Sequence, residues 1–168
     1  GGVFDSHSVT VSSDALGSLT FAGHGGSSAQ SAIDTTAAGD LWDNTFITAA
    51  NATMKPKASA TSNNMLSYTL PSMVDGVAVS ASYTPTGAAS QSSTAYSIAY
   101  TGVEGLAVHY ASGADDSTVG ATVDVDTIKA TYAYGPVTVG YSITEYDGES
   151  TAADVDQDST GMAIAYTM

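Results

Sequence analysis

From Asn64 onward the chain alternates apolar residues with small or polar ones at a period of two, over and over. Leu66, Tyr68 and Leu70 are separated by Ser67 and Thr69, and Val77, Val79, Ala81 and Tyr83 by Ala78, Ser80 and Ser82. Tyr96, Ile98 and Tyr100 alternate with Ser97, Ala99 and Thr101. Leu106, Val108 and Tyr110 follow, then Ile128, Ala130, Tyr132 and Tyr134 against Thr127, Lys129, Thr131 and Ala133. Val137, Val139, Tyr141 and Ile143 alternate with Thr138, Gly140, Ser142 and Thr144, and Met162, Ile164, Tyr166 and Met168 close the series. A period of two puts successive side chains on opposite faces of an extended strand. With shorter candidates around Val9 and Val11 and around Leu19 and Phe21, about nine strands are predicted.

The connections alternate too. Asp14–Gly17, Pro71–Gly76, Gly102–Gly105 and Gly135–Pro136 are short, whereas Gly23–Asn63, Pro85–Ser93, Ser112–Val125 and Asp147–Ser159 are long. That is the pattern of an up-and-down antiparallel barrel with tight turns on one rim and longer loops on the other. All four prolines fall in connections, where no ladder donor is lost.

A soluble sandwich would show the same alternation, with its apolar face inward. Two details favour a barrel in lipid. Tyrosines recur near strand ends (Tyr68, Tyr83, Tyr96, Tyr110, Tyr134, Tyr146), where an aromatic girdle would meet the headgroups. The polar faces are small and almost uncharged, unlike the charged exterior that keeps a soluble sheet from aggregating. The chain holds no run of about 18 apolar residues, so no transmembrane helix is expected. No basic-then-apolar leader opens it, so a signal peptide is expected to be absent or removed. Neither absence excludes a membrane, because a barrel strand needs only about 9–11 residues of alternating pattern.

Seventeen acidic residues face three lysines and no arginine, for a net charge of −14. This balance repels nucleic acid and favours cations, divalent ones included. Disorder is not expected, because 43% of the residues are hydrophobic and ten are tyrosines. Without cysteine there are no disulfides and no thiolate metal sites.

Four stretches carry a family resemblance. NMLSYTLPSMVDGVAVSASYTP (Asn64–Pro85) resembles the hairpin of general porins in which an Asn opens a strand, a Tyr-x-x-Pro ends it and a Gly begins the next. DALGSLTFAGHGG (Asp14–Gly26) resembles the turn and strand before the porin constriction loop. YSIAYTGVEGLAVHYASG (Tyr96–Gly113) and IKATYAYGPVTVGYSITEY (Ile128–Tyr146) are similar to later porin hairpins. The resemblance to Gram-negative general (diffusion) porins spans nearly the whole chain. It implies an all-β, antiparallel up-and-down transmembrane β-barrel of about sixteen strands in the outer membrane. It further implies a homotrimer in contact with outer-membrane lipid and lipopolysaccharide, and passive diffusion of small hydrophilic solutes. Residues 1–168 then form one β-barrel domain, expected to be an interior or partial stretch of a longer porin, since an odd strand count cannot close an antiparallel barrel.

The resemblance also implies that Gly23–Asn63 folds inward as a constriction loop, its acidic groups facing an arginine cluster. Two features depart from the family pattern: the chain has no Arg, and the PEFG-type tetrapeptide of that loop is missing. Asp34, Asp40, Asp43, Lys55 and Lys57 are the candidate constriction residues, and Trp42 and Phe46 the candidate anchors of the loop to the wall. Lys129 is expected to face the lumen with Thr127 and Thr131, or else to partner Asp124 or Asp126. Asp154, Asp156 and Asp158 form a D-x-D-x-D run in the last long connection; such spacing suits Ca²⁺, although the Gly and distal Glu of an EF-hand loop are absent. A merely solvated acidic loop is the alternative, and Asp115 with Asp116 and Asp124 with Asp126 read in the same way.

His7, His24 and His109 match no metal spacing, and no nucleophile elbow, phosphate loop or carboxylate pair is present, so no enzyme activity and no obligatory cofactor are expected. Two functions compete: a cation-preferring diffusion channel, and a secreted or cell-surface all-β structural or adhesive protein whose acidic loops bind Ca²⁺.

Overall fold

The computed structural model describes residues 7–31, 63–85, 92–118, 121–150 and 154–168. They form nine strands: β1 (His7–Ser13), β2 (Gly17–His24), β3 (Met65–Thr69), β4 (Val77–Pro85), β5 (Ser92–Val103), β6 (Leu106–Thr118), β7 (Ala121–Tyr134), β8 (Val137–Ser150) and β9 (Asp154–Tyr166). All nine belong to one sheet in sequence order, and each pairs antiparallel with its neighbour. The meander follows from the sequence, because short turns can join only antiparallel neighbours. The sheet is open, with β1 and β9 at its edges.

The turns explain the spacing of the glycines on the short-turn rim. Gly76 has φ of 74°, and a Cβ there would come within 2.5 Å of the Gly102 backbone. Gly105 has φ of 76°, and a Cβ there would collide with the Ala133 carbonyl. Only glycine meets both demands without strain. On the opposite rim Asn64 opens β3 at φ of 60°, a left-handed conformation that Asn tolerates.

Strand length departs from the sequence reading. Ser112–Val125 and Asp147–Ser159, read as long connections, are mostly strand: β6 reaches Thr118, β7 starts at Ala121, β8 reaches Ser150 and β9 starts at Asp154. Their acidic content suggested loops. Yet Asp124, Asp126, Glu145 and Asp147 keep the period of two, and the backbone ladder closes whatever the side chain carries. Charge excludes a strand face from lipid, not from the sheet. The wall is therefore taller at β7 and β8, each 14 residues, than at β3, which has 5.

Candidate functional site

Directly opposed residues point to the same side of a sheet, so the registers sort every described side chain to one of two faces. One face carries Val9, Phe21, Leu66 and Tyr83 in one row, and Val11, Leu19, Tyr68 and Tyr96 in the next. It continues through Val79, Ile98, Tyr110, Ile128 and Ile143, then Val77, Tyr100, Val108, Tyr141 and Met162, and then Leu106, Tyr132, Val139 and Ile164. The other face carries Ser67, Ser82, Ala95, Gly113 and Val125 in one row, Ser97, Ala111, Thr127 and Thr144 in another, and Ala99, His109, Lys129 and Ser142 in a third.

Their exposures are the inverse of a soluble sandwich. On the apolar face Val11 is 67% and Ile164 78% exposed, while on the polar face Thr127 and Thr144 are each 1% and Lys129 8% exposed. A sheet that covers its hydroxyls and bares its leucines, valines and tyrosines is built for lipid.

Part of the cover is the start of the long connection after β2. The Ala29 N–H donates to Ser82 Oγ at 2.9 Å, and Gln30 Nε2 donates to Thr127 Oγ1 at 3.0 Å. Thr127 Oγ1 lies 3.2 Å from Thr144 Oγ1, so a hydroxyl and amide chain runs from this segment through β7 to β8. Gln30 is fully buried, and a buried amide is stable only when its polar atoms are bonded. The base of the connection is closed by Asn64 N–H to the Gly23 carbonyl at 3.4 Å and by Gly25 N–H to Asn63 Oδ1 at 3.2 Å.

Thr127, Lys129 and Thr131 lie on the polar face as alternate residues of β7. Lys129 stands directly across from His109 on β6 and Ser142 on β8. Asp124 and Asp126 lie on the opposite face, so they do not partner it. The constriction candidates Asp34, Asp40, Asp43, Lys55 and Lys57, and the anchors Trp42 and Phe46, fall outside the described residues. His109 was missed as a lining residue; its alternation with Val108 and Tyr110 gives its face, but only the cross-strand register gives its neighbour.

The D-x-D-x-D run is not a loop but the start of β9, where Asp154, Asp156 and Asp158 oppose Glu149, Asp147 and Glu145. With Asp124 and Asp126 on β7, four of these residues, Glu145, Asp147, Asp156 and Asp158, line a hollow on the same side of the sheet as the apolar rows, towards the long-loop rim. Among the described residues, no three His, Asp or Glu side chains converge closely enough to hold a metal ion. The boundary between apolar and acidic rows is a tyrosine pair: Tyr96 and Tyr110 lie 6.1 Å apart with rings at 55°, and the Tyr110 hydroxyl donates to Asp126 Oδ1 at 2.9 Å. Beyond it, burial together with Asp116, Asp147 and Asp126 holds the Asp124 carboxyl above its usual range. Tyr146, expected in the girdle, is on the polar face opposite Val125 and Gln157, because position along a strand does not set parity.

An antiparallel meander with a bare apolar band, a tyrosine boundary and a polar face covered from its own side is the wall of an outer-membrane β-barrel. The chain belongs to the Gram-negative porin family, whose model matches residues 2–168. No curated protein and no solved structure matches it significantly. Membership in that family places the protein in the outer membrane.

Proposed function

We propose that the polar face lines a water-filled channel for passive diffusion of small hydrophilic solutes and ions, cations preferred, and that the chain has no catalytic centre. The observation that carries this reading is the return of residues 28–31 onto the polar face, bonded to Ser82 and Thr127. A connection that begins this way is suited to narrow a lumen. Gly23–Asn63 is thus read as a constriction loop, with Asp34, Asp40, Asp43, Lys55 and Lys57 beside the solute path and Trp42 and Phe46 against the wall. Cation preference is supported by the net charge of −14. A homotrimer in contact with lipid and lipopolysaccharide completes the reading.

The test is reversal potential in a salt gradient across a planar bilayer holding the full protein. Wild type is expected to favour K⁺ over Cl⁻, and the Asp40→Asn, Asp43→Asn double variant to lose much of that preference. Unchanged potentials would remove both aspartates from the solute path, and a protein that forms no channel would overturn the reading itself.

A further inference from the structure

His7 and His24 lie far apart in the sequence, yet the fold sets them against each other. β1 and β2 pair residue for residue from Ser13 and Gly17 to Ser8 and Ala22, and the next pair is His7 with His24, not His7 with Gly23. Gly23 is thus the extra residue of a bulge, in which two residues of β2 stand against one of β1. In an unbulged ladder His24 would fall one residue past His7 and turn to the other face of the sheet. The bulge instead brings both histidines together at the end of the hairpin remote from its turn, and both are exposed. A Cβ at Gly23 would collide with the His7 imidazole, Nε2 and Cδ2 first. The His7 ring therefore occupies the space that a side chain at position 23 would fill, beside His24. Gly23 does not have a positive φ, so it is the ring, not the backbone, that calls for glycine here.

We propose that His7 and His24 form a two-imidazole site for a divalent transition-metal ion of the Cu²⁺ or Zn²⁺ type, with solvent completing the coordination.

Directly opposed residues of an antiparallel pair hold their Cβ atoms about 4.5–5.5 Å apart. A metal–nitrogen bond of about 2 Å lets one ion bridge ring nitrogens up to about 4 Å apart, within reach of two imidazoles at that spacing. Imidazole nitrogen suits Cu²⁺, Zn²⁺ and Ni²⁺, whereas Ca²⁺ and Mg²⁺ take oxygen, so this site differs in chemistry as well as place from the carboxylates of β7–β9. It also stands at the root of the long connection after β2. The Gly23 carbonyl accepts from the Asn64 N–H at 3.4 Å, and the Gly25 N–H donates to Asn63 Oδ1 at 3.2 Å. β1 is an edge strand of the described sheet, held by a ladder on one side. An ion shared by His7 and His24 would clip its free end to the point where the connection leaves and returns, and binding to the folded chain alone stabilises that end.

The experiment is calorimetric titration of the full, tag-free protein, folded in detergent, with Cu²⁺ and separately with Zn²⁺. Wild type should bind one ion per chain in a step that excess Ca²⁺ does not block. His7→Asn and His24→Asn should each weaken that step at least about tenfold, and His109→Gln should leave it unchanged. Gly23→Ala keeps both histidines but displaces the His7 ring, and should weaken it as well. Hydrogen exchange should show the amides of β1 slowed by Zn²⁺ and not by Ca²⁺ in wild type, with no slowing in His24→Asn. Wild-type affinity in His7→Asn or His24→Asn overturns the site, as does a wild type that binds neither ion. Loss of the step in His109→Gln overturns it too, and wild-type affinity in Gly23→Ala overturns the bulge as its basis. If a histidine variant fails to fold, the exchange of β1 in wild type decides: equal rates with Zn²⁺ and Ca²⁺ would sink the proposal.

Discussion

Along β7 one strand serves two environments with alternate residues. On one side Val125, Thr127 and Lys129 are buried, and Thr127 joins Gln30 and Thr144 in a bonded chain. On the other, Ile128 and Tyr132 are bare, and Asp126 and Asp124 continue the same row pattern beyond the tyrosine boundary. The side that carries hydroxyls and a lysine is the covered one. Burial here follows which face the segment after β2 covers, not hydrophobicity, so the two faces should answer the same substitution in opposite ways.

The largest effect expected from that contrast is a charge placed on the bare face. Ile98→Arg, in the middle of the apolar band, should cost about 2–4 kcal/mol of stability in a folding assay with lipid vesicles. Ser97→Arg, one residue away on the polar face, should leave stability nearly unchanged and shift reversal potentials towards anions. Equal stability losses in the two would break the assignment of faces.

A smaller loss is expected inside. Thr127→Val keeps the shape but removes the acceptor of Gln30 and the partner of Thr144. Losing the Thr127 acceptor of this buried amide should cost about 1–3 kcal/mol in the same assay. It should also speed proteolysis after β2 if residues 28–31 are held by this bond. Wild-type stability and cleavage together would show that the segment is held elsewhere.

The acidic extension should respond to pH. Asp124 titrates above the usual carboxylate range in the folded protein, so the folded state binds its proton more tightly than the unfolded chain does. Its contribution is absent while both states are protonated, and stability is lost as pH rises from the ordinary Asp range through the raised one. Asp124→Asn should therefore lift the melting midpoint at neutral pH and leave it unchanged in strong acid. A variant that melts lower at neutral pH would contradict the repulsion.

The smallest effect concerns divalent ions. We propose that Ca²⁺ or Mg²⁺ screens the carboxylates of β7–β9, Asp154, Asp156 and Asp158 among them. At constant ionic strength, chelator should lower the melting midpoint slightly, and less in Asp156→Asn, Asp158→Asn. Identical midpoints with and without chelator would leave the rows simply solvated.

Much of this arrangement was readable beforehand. The alternation of Leu66, Tyr68, Val79, Ile98, Tyr132 and Ile164 with small polar residues gave strand number, order and faces, since the period of two is a property of the extended backbone itself. The upper halves of β6 to β9 were not readable as strand. Asp124, Asp126, Asp156 and Asp158 look like loop composition, and only pairing across the sheet reveals that their backbones belong to the ladder. Tyr146 was misplaced for a related reason: proximity to a strand end was read where parity was needed.

What the sequence determined by itself is the local grammar: strands at a period of two, glycine where the backbone must turn with positive φ, and an apolar face with tyrosine at its border. Those are constraints between residues one to four positions apart, and they survive without any knowledge of neighbours. The tertiary structure decided everything that depends on register and on which face is covered. It set His109 against Lys129, Gln30 against Thr127 and Asp147 between Asp124 and Asp156, pairs that lie far apart in the chain. Sliding one strand by a single residue would send each of those side chains to the other face without changing a letter of the sequence pattern.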